Sequence, residues 1–312
     1  MSSASDPTAA LGRIGFGAMH LSESGRPSRP EAIDTIHTAL DRGARLVDTA
    51  DAYCQNAAET GHNEVLVAEA LASWTGDQST VTVATKGGHV RDRYGRWDVD
   101  GRPEHLRAAA QASRNRLGVE TIALYQFHRP DPSVDFSSSV RALAELQRDG
   151  VVSRVGLSNV DVPQVQRAMD VIDVASIQNE LSPMALESLS VVHWCDRARV
   201  PFIVWAPFGG RERGRSLAED PSLQPFSTAA ADVGASVHQV VLAWLLSLSP
   251  MVIPIPGASR PSTITESLAA ASIVLDDAII STLDRAAAQA TADSEASRWL
   301  EQLRSRTAQI EV

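Results

Sequence analysis

The chain has 312 residues, 44% hydrophobic and 21% charged, the balance of an ordinary soluble globular protein. Its net charge of −10 argues against a nucleic-acid backbone or an anionic membrane surface as partner, and an anionic ligand then needs a local basic site. Two cysteines, Cys54 and Cys195, are too few for a disulfide framework, and residues 1–11 show no basic stretch followed by an apolar one, so a reducing, cytoplasmic setting is expected.

In chain order, Arg13 to Ala18 reads as a first strand whose glycines, Gly15 and Gly17, let something approach the backbone. A Ser/Gly/Pro-rich loop leads to a helix over Pro30 to Leu40, with apolar spacing at Ile33, Ile36 and Leu40 and a closing Gly43. Leu46 to Ala50 is the second strand, followed by a loop and a helix over Asn63 to Trp74. Thr80 to Lys86 is the third strand. Gly87 to Gly101 reads as a long polar loop carrying His89, Arg91, Arg93, Tyr94, Arg96 and Trp97. A helix over Pro103 to Leu117 has its proline early and Gly118 at its end.

Ile122 to His128 is the fourth strand and Phe136 to Asp149 a helix stopped by Gly150. Val151 to Leu157 is the fifth strand, ending at Ser158-Asn159, and Val174 to Gln178 the sixth, ending at Asn179-Glu180, with helices over Val162 to Met169 and Leu186 to Arg199. Pro201 to Trp205 is the seventh strand, and Ala206 to Pro221 a loop with Gly209-Gly210. Two helices follow. The apolar run Val240 to Leu248 is far shorter than the ~20 residues that span a bilayer and reads as a buried helix. Met251 to Ile255 is the eighth strand, before helices over Ser262 to Ala271 and Asp276 to Ala290 and a polar, partly helical tail.

Eight strands alternating with helices predict a single-domain α/β protein, a (β/α)₈ TIM barrel over 1–312, with its core at about 13–284 and a helical tail at 285–312. An open doubly wound sheet needs Gly-x-Gly-x-x-Gly after the first strand, and the third glycine is missing. In a barrel, chemistry sits at the carboxyl ends of strands. Asp48 ends the second strand here and Tyr53 follows in its loop; Lys86 ends the third and His128 the fourth.

A phenol is a weak acid with a pKa near 10, and a nearby lysine cation lowers it. Asp48 can pair with that lysine, and His128 can hydrogen-bond a substrate oxygen. The four residues form a proton donor aimed at an oxygen gaining charge, as in a carbonyl being reduced. No side chain supplies a hydride, so a cofactor is required. Ser158, Asn159 and Gln178 can hold a carboxamide, Trp205 can stack on a flat ring, and Gly257-Ala-Ser259-Arg260 suits a phosphate. No metal site is expected.

These motifs resemble those of the aldo-keto reductase superfamily from about Arg13 to Asp284. The resemblance rests on Asp48, Tyr53, Lys86 and His128, on Gly61-x-Asn-Glu64, His128-Arg-Pro-Asp131, Gly156-Leu-Ser-Asn159 and Ile255-Pro-Gly257. The glycine-rich start and Met19 are faintly similar to bacterial pyridoxal-reductase-like members. The resemblance implies NADPH/NADP+ as cofactor and a small-molecule carbonyl substrate. It implies Tyr53 as general acid tuned by Lys86 and Asp48, with His128 orienting. Ser158, Asn159 and Gln178 would meet the nicotinamide carboxamide, Trp205 its ring and Arg260 the 2′-phosphate. Pro207, Phe208, Gly257, Ser259 and Glu266 would complete the cofactor site. Thr263 and Ser267 depart from residues common in the family near that phosphate. A cofactor-binding redox sensor with little turnover is the alternative. A Schiff-base enzyme built on Lys86 leaves the cofactor features unexplained.

Overall fold

The computed structural model describes residues 7–291 and 295–310, with side chains up to Arg306. The chain begins with strand β1 (Phe16–Gly17), helix α1 (Arg29–Asp41), strand β2 (Leu46–Asp48) and helix α2 (His62–Ser73). Strand β3 (Thr82–Gly87) is followed by two short strands, β4 (His89–Arg91) and β5 (Trp97–Val99), then helix α3 (Pro103–Leu117). Regular alternation continues through β6 (Leu124–Phe127), α4 (Phe136–Arg148), β7 (Val155–Ser158), α5 (Val162–Met169), β8 (Val174–Glu180), α6 (Leu189–Ala198) and β9 (Phe202–Trp205). A short helix α7 (Arg211–Arg215) precedes α8 (Gln224–Val233), α9 (Val237–Leu248), β10 (Val252–Pro254), α10 (Pro261–Ala269), α11 (Asp277–Thr291) and α12 (Ala296–Ile310).

Eight parallel strands form one sheet in the order β1-β2-β3-β6-β7-β8-β9-β10. The ends of that sheet meet: the Gly15 amide donates to the Pro254 carbonyl at 2.9 Å and the Gly17 amide to that of Pro256 at 3.2 Å. A side chain at Gly17 would begin 2.8 Å from the Ile255 oxygen, so the first strand's glycines serve barrel closure.

The two-residue period of the strands sorts the side chains. Leu46, Ala84, Leu124, Ile203 and Ile253 pack together in the barrel interior. Two residues further along their strands come Asp48 and Lys86, above that apolar floor. Val47, between Leu46 and Asp48, and Val83, just before Ala84, pack outward with α1 and α2 residues such as Ile36, Leu66 and Val67. Local signals set the helices. Ser28 and Glu31 form a capping box on α1, as do Asp161 and Gln164 on α5 and Ser236 and Gln239 on α9. The apolar helix α9 is buried along most of its length, as its sequence predicts.

The predicted loop over Gly87 to Gly101 is an antiparallel hairpin pairing β4 with β5. Its turn closes because the Asp92 carboxylate accepts from the amides of Tyr94 and Arg96, and Gly95 takes a φ of 80°. The predicted tail folds as α12, tied back by Arg304 to Asp284 at 2.9 Å. Among the described residues, no single helix is long and apolar enough to cross a membrane.

Candidate active site

At the carboxyl end of β3, Lys86 is fully buried and its ammonium is triply engaged. Its Nζ donates to Asp48 Oδ2 at 2.6 Å, to the Thr49 carbonyl at 3.0 Å and to the Tyr53 hydroxyl at 2.9 Å. The other Asp48 oxygen accepts from Gln178 Nε2 at 2.7 Å. Asp48, buried as deeply as its partner, therefore has both oxygens satisfied, which is what makes a buried pair tolerable. Three strand ends, those of β2, β3 and β8, brought together by barrel closure build this network.

The phenol is held in its protonated form. Burial pushes the Tyr53 pKa well above 10, the negative charges of Asp48 and Glu23 add to that, and Arg91 opposes it. This corrects the sequence expectation that Lys86 lowers it. Lysine and aspartate arrive together, so the lysine's field is largely offset while desolvation is not. Burial likewise holds Lys86 below the ordinary ammonium range despite Asp48. His128 sits edge-on to Tyr53, with ring centroids 5.7 Å apart and planes at 81°. Burial, and then the charge of Lys86, hold its pKa well below 6.5, so it is neutral.

The predicted cofactor residues separate into groups. Ser158 is buried at the end of β7, where its hydroxyl accepts from Asn159 Nδ2 at 3.0 Å; the same amide donates to the His128 carbonyl at 2.9 Å. Asn159 adopts a left-handed backbone with φ 58°, which turns it into the barrel mouth. Gln178 has its amide nitrogen committed to Asp48, leaving Oε1 to accept from a carboxamide. Asn159 and Trp205 line an open cleft of about 950 Å³ with Arg129, Glu180, Met184 and Arg213. The indole Nε1 of Trp205 is buried and has no hydrogen-bond partner among the described residues.

Pro207 is buried in the loop after β9, and Phe208 turns inward, edge-on to His238 at 4.9 Å, so its ring serves packing. Gly257 lies beside the barrel seam, where a Cβ would meet His20 Nδ1 at 2.9 Å. Ser259 and Arg260 line a second cleft of about 280 Å³ together with Gly25, Pro27, Glu31 and Asp34. Arg260 is exposed just before α10. Glu266 is exposed on α10 and lines neither cleft. Among the described residues no cluster of three or more histidine, cysteine or carboxylate side chains could hold a metal ion.

Sequence reasoning assigned no role to His89, which the hairpin stacks on His128 with centroids 4.3 Å apart. It also did not find the Asp48–Gln178 bond. A histidine two residues past the Lys86-Gly87 strand end was the available signal for the first; nothing local signals the second.

A phenol hydrogen-bonded by a buried ammonium at the mouth of a parallel barrel suits an oxidoreductase that acts on carbonyl groups. Comparison with known proteins bears this out at the level of family: the chain belongs to the aldo/keto reductase family, whose model matches residues 13–288, and it is an oxidoreductase of that family, which uses a nicotinamide cofactor. An uncharacterized oxidoreductase of Schizosaccharomyces pombe is 32% identical over 278 residues, covering 88% of this chain and 86% of its own. The pyridoxine 4-dehydrogenase of Escherichia coli K12 is 29% identical, covering 89% and 95% respectively. The solved structure of a glycerol dehydrogenase from Gluconobacter oxydans superposes with a TM-score of 0.77 at 25% identity, over 91% of this chain and 93% of that one.

Proposed function

We propose that the protein reduces an aldehyde or ketone to an alcohol with NADPH, reversibly, with Tyr53 as the general acid. The observation that carries this reading is the 2.9 Å bond from Lys86 Nζ to the Tyr53 hydroxyl inside the Asp48–Lys86 pair. A buried phenol kept protonated has a proton to give at neutral pH. As the proton leaves, the ammonium already in place stabilises the phenolate without reorganisation. His128, neutral and edge-on to the phenol, offers a ring nitrogen to the same substrate oxygen and fixes where that oxygen lies.

The residues present fit the dinucleotide. Gln178 Oε1 is not used in the bond to Asp48, and Asn159 and Trp205 line an open cleft, Trp205 with an aromatic face. Bound there, the cofactor supplies the hydride. Ser158, Asn159 and Gln178 would hold its carboxamide and Arg260 its 2′-phosphate. In the reverse direction the Tyr53 phenolate, stabilised by the Lys86 ammonium, receives the proton from an alcohol.

The test is a panel of carbonyls with NADPH oxidation followed by absorbance. The carbonyls made by oxidising pyridoxine and glycerol, the alcohols named in two relatives, head the panel, and the alcohols themselves are assayed in the reverse direction with NADP+. Turnover of at least one of them supports the reading. Tight NADPH binding with negligible turnover throughout would instead favour a cofactor sensor.

A further inference from the structure

We infer that His89 is a positioning residue: its imidazole face, delivered by the β4–β5 hairpin, fixes the His128 ring in the orientation in which it meets a substrate carbonyl. This rests on the reading of Tyr53 as acid and of His128 as the group beside the reacting oxygen.

A functional histidine is usually oriented by the bond its second nitrogen makes. His128 lacks that device, because its Nδ1 is buried and has no hydrogen-bond partner among the described residues. Rings hold it instead. Tyr53 presents an edge, and Trp97 lies at 6.3 Å with planes at 73°. Among the described residues, only His89 lies flat against it, at 4.3 Å and 19°. The distance is that of a stacked aromatic pair.

His89 is itself held firmly. Arg129 Nε donates to its Nε2 at 3.0 Å, which uses that lone pair and leaves the ring proton on Nδ1. The hairpin beneath is braced by Arg91. Its guanidinium covers the Trp97 ring at 3.3 Å, donates to Glu23 Oε1 at 2.5 Å and to the carbonyls of Gly95 at 2.9 Å and Ala52 at 3.3 Å. Three short residues of β4 and three of β5 thus have one visible product, a flat ring placed over His128.

The charges around the stack keep it neutral. Facing His128 are Tyr53 from the loop after β2, Lys86 from β3, His89 and Arg91 from β4 and Arg129 after β6. Burial first, then the cations Arg129, Lys86 and Arg91, push His89 down to about 4. Two stacked imidazoles cannot both carry charge at this distance without repulsion, so the cations protect the geometry. Without the His89 ring, water reaches the exposed face of His128 and its titration rises toward the ordinary value near 6.5.

The experiment compares His89→Ala, which removes the ring, with His89→Phe, which keeps a flat face. The His128 imidazole is titrated by NMR in each, and kcat and the NADPH Kd are measured. Should the alanine variant not fold, His89→Ser takes its place. The expected result for alanine is a kcat loss on the order of tenfold, an unchanged Kd, and an upward shift of the His128 titration. Phenylalanine restores kcat to within about threefold and keeps the His128 titration low. Wild-type titration and kcat in the alanine variant would overturn the inference. So would a phenylalanine variant as impaired as alanine, because stacking would then not be the means. Tyr53→Phe is the control: if it retains turnover, the site reading itself has failed, whatever His89 does.

Discussion

The cluster around Lys86 and the cleft around Arg260 are built in opposite ways. At the first, the partners of the ion pair are in place and water is excluded: Lys86 and Asp48 are 0% and 1% exposed, and four bonds tie Lys86, Asp48, Thr49, Tyr53 and Gln178 into one network. At the second, Arg260 is exposed, no described hydrogen bond or ion pair engages its side chain, and Glu31 and Asp34 share its cleft. The difference follows from the task each end performs. A group that must stabilise charge during a reaction acts best when its partners are fixed beforehand. A group that only captures an anion loses less by staying solvated until the anion arrives, since a desolvated lone cation is costly.

If this contrast is right, the largest effect comes from the dry end. Tyr53→Phe removes one hydroxyl and leaves the ring to pack, so fold and cofactor binding persist while turnover falls by about 10²–10⁴-fold. Steady-state reduction of a good substrate, with NADPH binding followed by fluorescence quenching, checks both halves. Lys86→Met is expected to be as inactive, and also less stable. It leaves Asp48 buried with only Gln178 as donor, and removing one partner of a buried pair costs roughly 3–5 kcal/mol. Thermal unfolding of the two variants separates them: Tyr53→Phe near wild type, Lys86→Met clearly lower. Equal stability would mean that the Asp48 charge is not held as the network implies.

At the open end the effect is smaller and confined to binding. A charge-assisted contact with a phosphate is worth roughly 1.5–3 kcal/mol, or about 10- to 150-fold in affinity. Arg260→Ala is expected to weaken NADPH by an amount near the lower figure and leave NADH nearly unchanged, because Glu31 and Asp34 line the same cleft and oppose an added anion. Titration of both cofactors against both proteins decides it. Equal losses for the two cofactors, or none, would remove Arg260 from the 2′-phosphate role.

The two ends also differ in how far the sequence discloses them. Asp48 and Lys86 are legible because short apolar strands end on them and a barrel puts such ends at one mouth. Gln178 is legible as a strand end, but its bond to Asp48 spans 130 residues and depends on how the strands are ordered. The sign of the Tyr53 shift is not legible. It is set first by burial, with Asp48 and Glu23 adding to the rise and Arg91 opposing it, and the sequence names the charges without their depth. The hairpin was hidden for another reason. Its strands hold three residues each, with Arg91 and Asp98 where a longer strand would alternate, and side-chain bonds to Asp92 and a guanidinium on Trp97 hold it together.

The last prediction, confined to stability, tests whether the dry end is satisfied throughout, and it concerns Asp51, three residues past Asp48. This carboxyl is buried too, but its Oδ1 has no partner among the described residues. Burial pushes its pKa up to about 8, and the nearby Glu64 adds to the rise, while Arg116, the Ala52 amide and Lys86 act the other way. An unfolded aspartate titrates near 3.9. Between those values the native state holds a proton that the unfolded chain has released, so stability falls as pH rises from about 4 to about 8. Asp51→Asn keeps the shape and removes the titration. The variant should therefore gain most over wild type at pH 8 and gain little at pH 4. Thermal melts at the two pH values measure this directly. A constant difference between the proteins at both would show that Asp51 is ionised in the fold, with a partner that compensates it as Lys86 and Gln178 compensate Asp48.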